Sequence, residues 1–313
     1  MKTINSPEFS RNYGFINEAE QEALFNANIA IAGVGGDGFQ LGLKLAQKGV
    51  QHFSIADPEI FEKENTNRVP GATQSTYGRN KAEVFQERVH DINPDAVVKI
   101  WINGVQKENV EEFMHGATLV LDESELTHLE IGTMIARQAR KQGIPNLLVM
   151  NIGFAAQATS FRPSGGKTFE QLMGIPNGMP LDEVCEMKVK FERCLPYIPR
   201  YGDIRTLIAA QEGAPLPSIA EGVDVASALG TTQAFLHIVH AVNNRRPPPT
   251  WAPRFKYLDS YTCRGGDIYF PLISYYARLS EVIIRNSLGC NPKANYTEVD
   301  RKRREGNHTT FQH

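Results

Sequence analysis

The segment Gly33-Val34-Gly35-Gly36-Asp37-Gly38 constrains this chain more than any other. It follows a short apolar run over 27–32 and precedes a stretch, 40–48, in which Leu41 and Leu45 stand at helical spacing. A buried strand that turns through glycines into a helix points to a doubly wound α/β fold. Glycines permit the tight turn and let a ligand approach the backbone, and the helix start offers phosphate its free N–H groups and positive dipole end. A second strand over 52–56 leads to Asp57, where a carboxylate can accept hydrogen bonds from a ribose. Taken alone this is a dinucleotide fingerprint, which an NAD-dependent oxidoreductase satisfies as well as an ATP-binding enzyme. Asp37 is out of place in both, because a carboxylate inside a phosphate loop repels the ligand unless it points away.

The alternation continues, with a helix expected over 80–92 and strands over 96–102 and 118–121. A short helix over 108–114 separates those strands, a longer one spans 129–141, and a strand follows over 146–152. Strands alternating with helices imply a mostly parallel, Rossmann-like sheet with right-handed crossovers. The stretch 161–217 is rich in Pro and Gly and reads as an irregular crossover insertion. A helix over 223–242, strands over 255–261 and 267–270, and a closing helix over 272–288 complete the chain. The organisation expected is an N-terminal arm (1–26), a nucleotide-binding half (27–160), the crossover segment (161–217), a second half (218–290) and a polar tail (291–313).

The text after Asp57 separates the readings. It runs Asp57-Pro58-Glu59, then Asn65-Thr66-Asn67-Arg68, then Gly78-Arg79-Asn80-Lys81. With the glycines, these residues match the pattern Gly-x-Gly-Gly-x-Gly, Asp-x-Asp/Glu, Asn-x-x-Arg, Gly-x-x-Lys. Over residues 9–152 the chain resembles the superfamily of ubiquitin-activating and sulfur-carrier-activating adenylyltransferases, which includes the enzymes serving molybdopterin synthase and thiamine biosynthesis. The stretch 81–114 is especially similar to the tRNA threonylcarbamoyladenosine dehydratase branch.

That resemblance implies ATP with Mg²⁺ as cofactors and adenylation of a carboxylate. Negative charge then builds on the phosphoryl oxygens and the leaving pyrophosphate, and fixed cations stabilise it. The resemblance gives this role to Arg68, Lys81 and Arg11, the last acting across a homodimer interface. It makes Gly33, Gly35, Gly36, Gly38, Asp57, Glu59, Asn65 and Asn67 the ATP-binding set, although the two asparagines also suit simple turns. Glu125 falls where the family has a Mg²⁺-contacting aspartate, with Asp122 just before it; Asp122 also suits a helix cap. Cys185 and Cys194 lie where some members carry a cysteine that accepts the acyl group as a thioester, and either is equally readable as a small buried hydrophobe. The structural zinc of some members needs two Cys-x-x-Cys pairs, which the four cysteines here do not form, so no zinc is expected.

Composition excludes little more. A net charge of −2 gives no general reason to expect nucleic acid, although the dehydratase likeness keeps tRNA open. The basic run 301–304 sits in the polar tail and reads as solvated. No uncharged apolar run is long enough to span a bilayer, so no membrane partner and a cytoplasmic setting are expected. The substrate carboxylate belongs to a small ubiquitin-like protein, a peptide or a small molecule. Asp37 and Val69, which follows Arg68 where the family usually has Gln, keep open a catalytically degenerate binding or scaffold member.

Overall fold

The computed structural model describes residues 6–293, apart from 213 and 215. The run 301–304 and most of the expected tail lie outside the described residues.

A 3-10 turn, Pro7–Asn12, leads to helix α1 (Glu18–Asn26), strand β1 (Asn28–Ala32), α2 (Gly36–Lys48) and β2 (His52–Ala56). After a second 3-10 turn, Lys63–Asn67, come α3 (Lys81–Ile92), β3 (Val97–Trp101), α4 (Val110–Phe113), β4 (Leu119–Asp122), α5 (Leu129–Gln142) and β5 (Asn146–Ile152). Strand β6 (Ala155–Phe161) turns straight back. Four short helices follow: α6 (Phe169–Met173), α7 (Leu181–Val184), α8 (Phe191–Cys194) and α9 (Ile204–Gln211). Then come α10 (Ala220–Val239), β7 (Phe255–Asp259), β8 (Arg264–Ile268) and α11 (Pro271–Ser287).

All eight strands form one sheet in the order β3-β2-β1-β4-β5-β6-β7-β8. The first five are parallel, and β6, β7 and β8 join antiparallel. The sheet is therefore mostly parallel and doubly wound, as the strand–helix alternation implies. On one face α2, α3 and α10 bury Leu41, Phe85, Leu229 and Phe235 against Ile29, Ile31, Leu121 and Val149. On the other, α4 and α5 cover the parallel strands, and the crossover helices with α11 cover the antiparallel ones. The strand order reverses between β1 and β4, which puts the ligand crevice of such sheets above that pair.

Several boundaries move. α2 begins at Gly36, inside the glycines. The strand expected over 267–270 runs 264–268 instead, with Phe270 capping α11. The sequence reading contains no β6 at all. Its residues Gln157, Thr159 and Ser160 are fully buried yet polar: Gln157 Oε1 accepts the Tyr197 N–H, Thr159 donates to the Arg254 carbonyl, and Ser160 bonds His237. Neither an apolar run nor an alternation marks such a strand.

Candidate nucleotide site

The phosphate loop is shaped by close backbone approach. Gly33 has φ +97°, a conformation that L side chains rarely adopt, and a Cβ there would overlap the carbonyl oxygen of Glu123. At Gly38 a Cβ would overlap the carbonyl of Gly33, so the first turn of α2 lies directly on the loop. Gly36 faces Val223 of α10 and the stem of Arg68. Gly35 differs, because nothing lies within 4 Å of the place a Cβ would take. It is the N-cap of α2. Among the described residues, no side chain caps the leading N–H groups of this thirteen-residue helix.

Asp57, at the end of β2, is nearly fully buried. Its Oδ2 accepts the Val34 N–H at 2.7 Å and its Oδ1 the Glu59 N–H at 2.8 Å. It therefore braces the phosphate loop. The exposed carboxylate is Glu59, two residues on, paired with the ammonium of Lys81, whose stem is buried. Asn80 caps α3 through the Ala82 N–H and ties back to the Asp57 carbonyl, which places Lys81 at that helix's first position.

Arg68 stands on the other side of the loop. Its Nη1 donates to the Glu64 carbonyl at 3.0 Å and to Asn67 Oδ1 at 2.9 Å. Asn67 donates to the Ser218 carbonyl, Ser218 to Asn151 Oδ1, and Asn151 in turn to Asp37. These bonds wrap the start of α2, linking the loop to the end of β5 and the approach to α10. Asp37 points into this network, accepting both the backbone and side-chain N–H groups of Asn151. Burial lifts its carboxyl to about 7, against the pull of Asn151 and Arg68. Asn65 is buried, and its Oδ1 accepts the Glu62 N–H in a capping box of the 3-10 turn.

A second group of acids closes the site from β4. Asp122 is buried and accepts the Ser124 backbone and hydroxyl groups, with burial lifting its carboxyl to about 6. Glu123 lies against Gly33 and Gly38, and its buried Oε1 has no partner among the described residues. Burial, with Asp37 and Asp122 nearby, pushes its carboxyl well above the usual range. Glu125 is exposed at the rim. Among the described residues no group of three His, Cys, Asp or Glu side chains is placed to hold a metal ion. Nucleotide-borne Mg²⁺ usually needs only one or two carboxylates besides the phosphates.

The profile of the ThiF family matches residues 9–269, most of the chain and all of the site. The chain belongs to the ThiF family. It is 31% identical over 156 residues to the tRNA threonylcarbamoyladenosine dehydratase of Bacillus subtilis, a match covering 50% of this chain and 61% of that protein. It is 29% identical over 145 residues to the SAMP-activating enzyme E1 of Haloferax volcanii, covering 46% and 53%. A probable molybdopterin-synthase adenylyltransferase of Porphyra purpurea matches at 28% identity, with 33% and 27% covered. The matches thus span about three fifths or less of each relative. A crystal structure of E. coli MccB with ATP superposes with a TM-score of 0.63 at 15% identity, covering 84% of this chain and 72% of that one, a likeness of fold.

Within the ThiF frame the remaining candidates separate by place. Arg11 lies on the exposed 3-10 turn, where Phe9 packs on Phe25 at 5.1 Å and Asn12 bonds Gln21. Gln21 donates to the Lys48 carbonyl, so this arm sits at the far end of α2 from the phosphate loop. Cys194 is fully buried among the crossover helices, its thiol pushed up by burial. Cys185 is exposed, and desolvation with the nearby charges of Glu186 and Glu130 raises its thiol too. Its electrostatic neighbours are acids, not the lysines at 188 and 190. Asn151, Ser218 and Glu123 are site residues that the sequence reading lacks. Asn151 and Glu123, at the carboxyl ends of strands, carry a positional signal.

Proposed function

We propose that this ThiF protein binds ATP with Mg²⁺ above β1 and β4 and joins a substrate carboxylate to AMP, releasing pyrophosphate. The observation that carries this reading is the start of α2 at Gly35, with no side-chain cap, partly exposed and flanked by Arg68 on one side and Lys81 on the other. The helix N-terminus and the loop N–H groups suit the phosphates. Arg68 and Lys81 offset charge as the substrate oxygen attacks the α-phosphorus and the bond to pyrophosphate breaks. Glu59 takes the ribose hydroxyls, since both oxygens of Asp57 already brace the loop. Asn65 holds the 3-10 turn and Asn67 positions Arg68. Glu125, backed by Asp122, would hold Mg²⁺, which supplies further charge neutralisation. Arg11 would come from a second copy of the chain. The carboxylate is the C-terminus of a peptide or a small ubiquitin-like protein. The adenylate passes directly to the next nucleophile, a reading supported by the burial of Cys194 and the acidic surroundings of Cys185.

Calorimetry with each nucleotide tests the assignment. MgATP is expected to bind and NAD not to; NAD binding without an ATP signal overturns it. The acids Asp37 and Glu123 beneath the loop favour a second reading, a nucleotide-binding member that has lost turnover. ATP binding without pyrophosphate exchange, across peptide carboxylates, would favour that one.

A further inference from the structure

The sheet's carboxyl edge carries two turns beyond the nucleotide crevice. The β5–β6 turn holds Gly153 and Phe154; the β7–β8 turn runs from Ser260 to Cys263. Phe154, Tyr201 and Tyr261 bridge them, with Tyr201 and Tyr261 centroids 4.6 Å apart and Phe154 within 5.8 Å of both. Past these rings lies a pocket of about 50 Å³ lined by Tyr197, Arg200, Thr262, Arg264, Arg278 and Glu281. That is room for a few water molecules or one carboxylate.

The floor of the pocket is buried and its rim, with Arg200, Arg264 and Glu281, is exposed. Asp259 is fully buried and accepts the Tyr197 hydroxyl and the Thr262 N–H. Tyr197 stacks on Tyr257, and Arg278 lies 3.8 Å over the Tyr197 ring, which leaves its N–H edge free. Arg200 and Arg264 have no side-chain partner among the described residues. The buried hydroxyl of Thr262 has no hydrogen-bond partner among the described residues. Cys263 in the same turn has φ +52°, the one positive φ at a non-glycine among the described residues. Such strain persists where its surroundings over-determine it.

We infer that this pocket recognises one acidic side chain of an extended peptide or protein tail whose C-terminal carboxylate is the group adenylated. This rests on the adenylation reading. Three guanidinium groups against Glu281 and Asp259 leave one positive charge, which suits one carboxylate. A nucleic-acid backbone calls instead for an open basic groove along many phosphates. Four strand spacings of about 4.8 Å place β7 roughly 19 Å from β1. An extended chain covers that distance in about six residues, passing over the aromatic bridge on the way.

The test uses N-terminally labelled octapeptides of Ser and Gly with a free C-terminus. A single Glu, or Gln as its control, is stepped from two to seven residues before the end, and binding is read by fluorescence anisotropy. A Glu five or six residues before the end should bind about tenfold tighter than Gln there. Arg200→Gln and Arg264→Gln, both at exposed positions, should remove the preference without changing the melting temperature. Equal binding of Glu and Gln peptides, or a preference that survives both substitutions, overturns the inference. So does a uridine dodecamer that binds more tightly than the peptides and is lost with the same arginines. Calorimetry with MgATP on the same protein separates the two readings. ATP binding without a Glu preference sinks only the pocket; a Glu preference without ATP binding sinks only the adenylation.

Discussion

Asp37 makes the phosphate loop sensitive to pH. Its carboxyl rises from 3.8 to about 7 in the folded protein, chiefly through burial. The folded state therefore keeps a proton that the unfolded chain gives up, and stability falls as pH rises from about 4 to about 7, then levels off. Glu123 adds to the same slope, since Asp37 is among the charges that raise it. Urea titrations at pH 5 and pH 8 should show wild type losing stability over that interval and Asp37→Asn losing much less. An unchanged slope in the variant would assign the effect elsewhere. Most other residues of the site were legible because their chemistry is local. Gly33 to Gly38, Asp57, Arg68 and Lys81 carry their spacing in the chain. Asn151, Ser218 and Glu123 were not legible, because each reaches the loop only through tertiary contact.

Helix α1 shows how an element can escape its own pattern. Its buried face contains Glu20 and Gln21 beside Leu24, so no apolar stripe announces it. Glu20 accepts Nε and Nη2 of Arg246 at 2.6 and 2.8 Å and Asn243 at 2.7 Å, which holds its carboxyl down at about 2. This cluster fastens the start of the chain to the segment leaving α10. Arg246→Ala strands a buried carboxylate and should cost about 3 kcal/mol at pH 7. The loss should shrink as pH falls toward about 2, where Glu20 takes up a proton in the wild type as well. Thermal melts at pH 7 and pH 3 would check both the size and the sign. Elements with ordinary patterning, such as α5 and β1, appear within a residue or two of where the sequence puts them. The short helices α6 to α9 do not, being held by tertiary packing more than by periodicity.

At the scale of the molecule, Arg11 and its own phosphate loop sit at opposite ends of α2, about 20 Å apart for thirteen residues. Reach therefore favours a second copy as the source of the arginine, with Tyr13 and Phe15, about four fifths exposed, offering apolar surface on the same arm. Arg11→Ala and Lys81→Ala proteins should each be inactive in pyrophosphate exchange. Mixed as equal amounts of exchanging dimers, they should regain about a quarter of wild-type activity, one intact site in half the assemblies. A monomer by sedimentation, or no recovery on mixing, would rule the arrangement out.

The position of α10 has a further consequence, for the order in which the chain is made. This helix, Ala220–Val239, covers the face of β4, β5 and β6 that α2 and α3 leave open. A ribosome releases all of the parallel strands, and the whole phosphate loop, before it releases the helix that covers β4 and β5. The nucleotide-binding half must therefore wait, with Leu121 and Val149 incompletely covered, while some seventy further residues are added. The strongest signature in the sequence is thus made well before Val223 and the rest of the helix that shelters it.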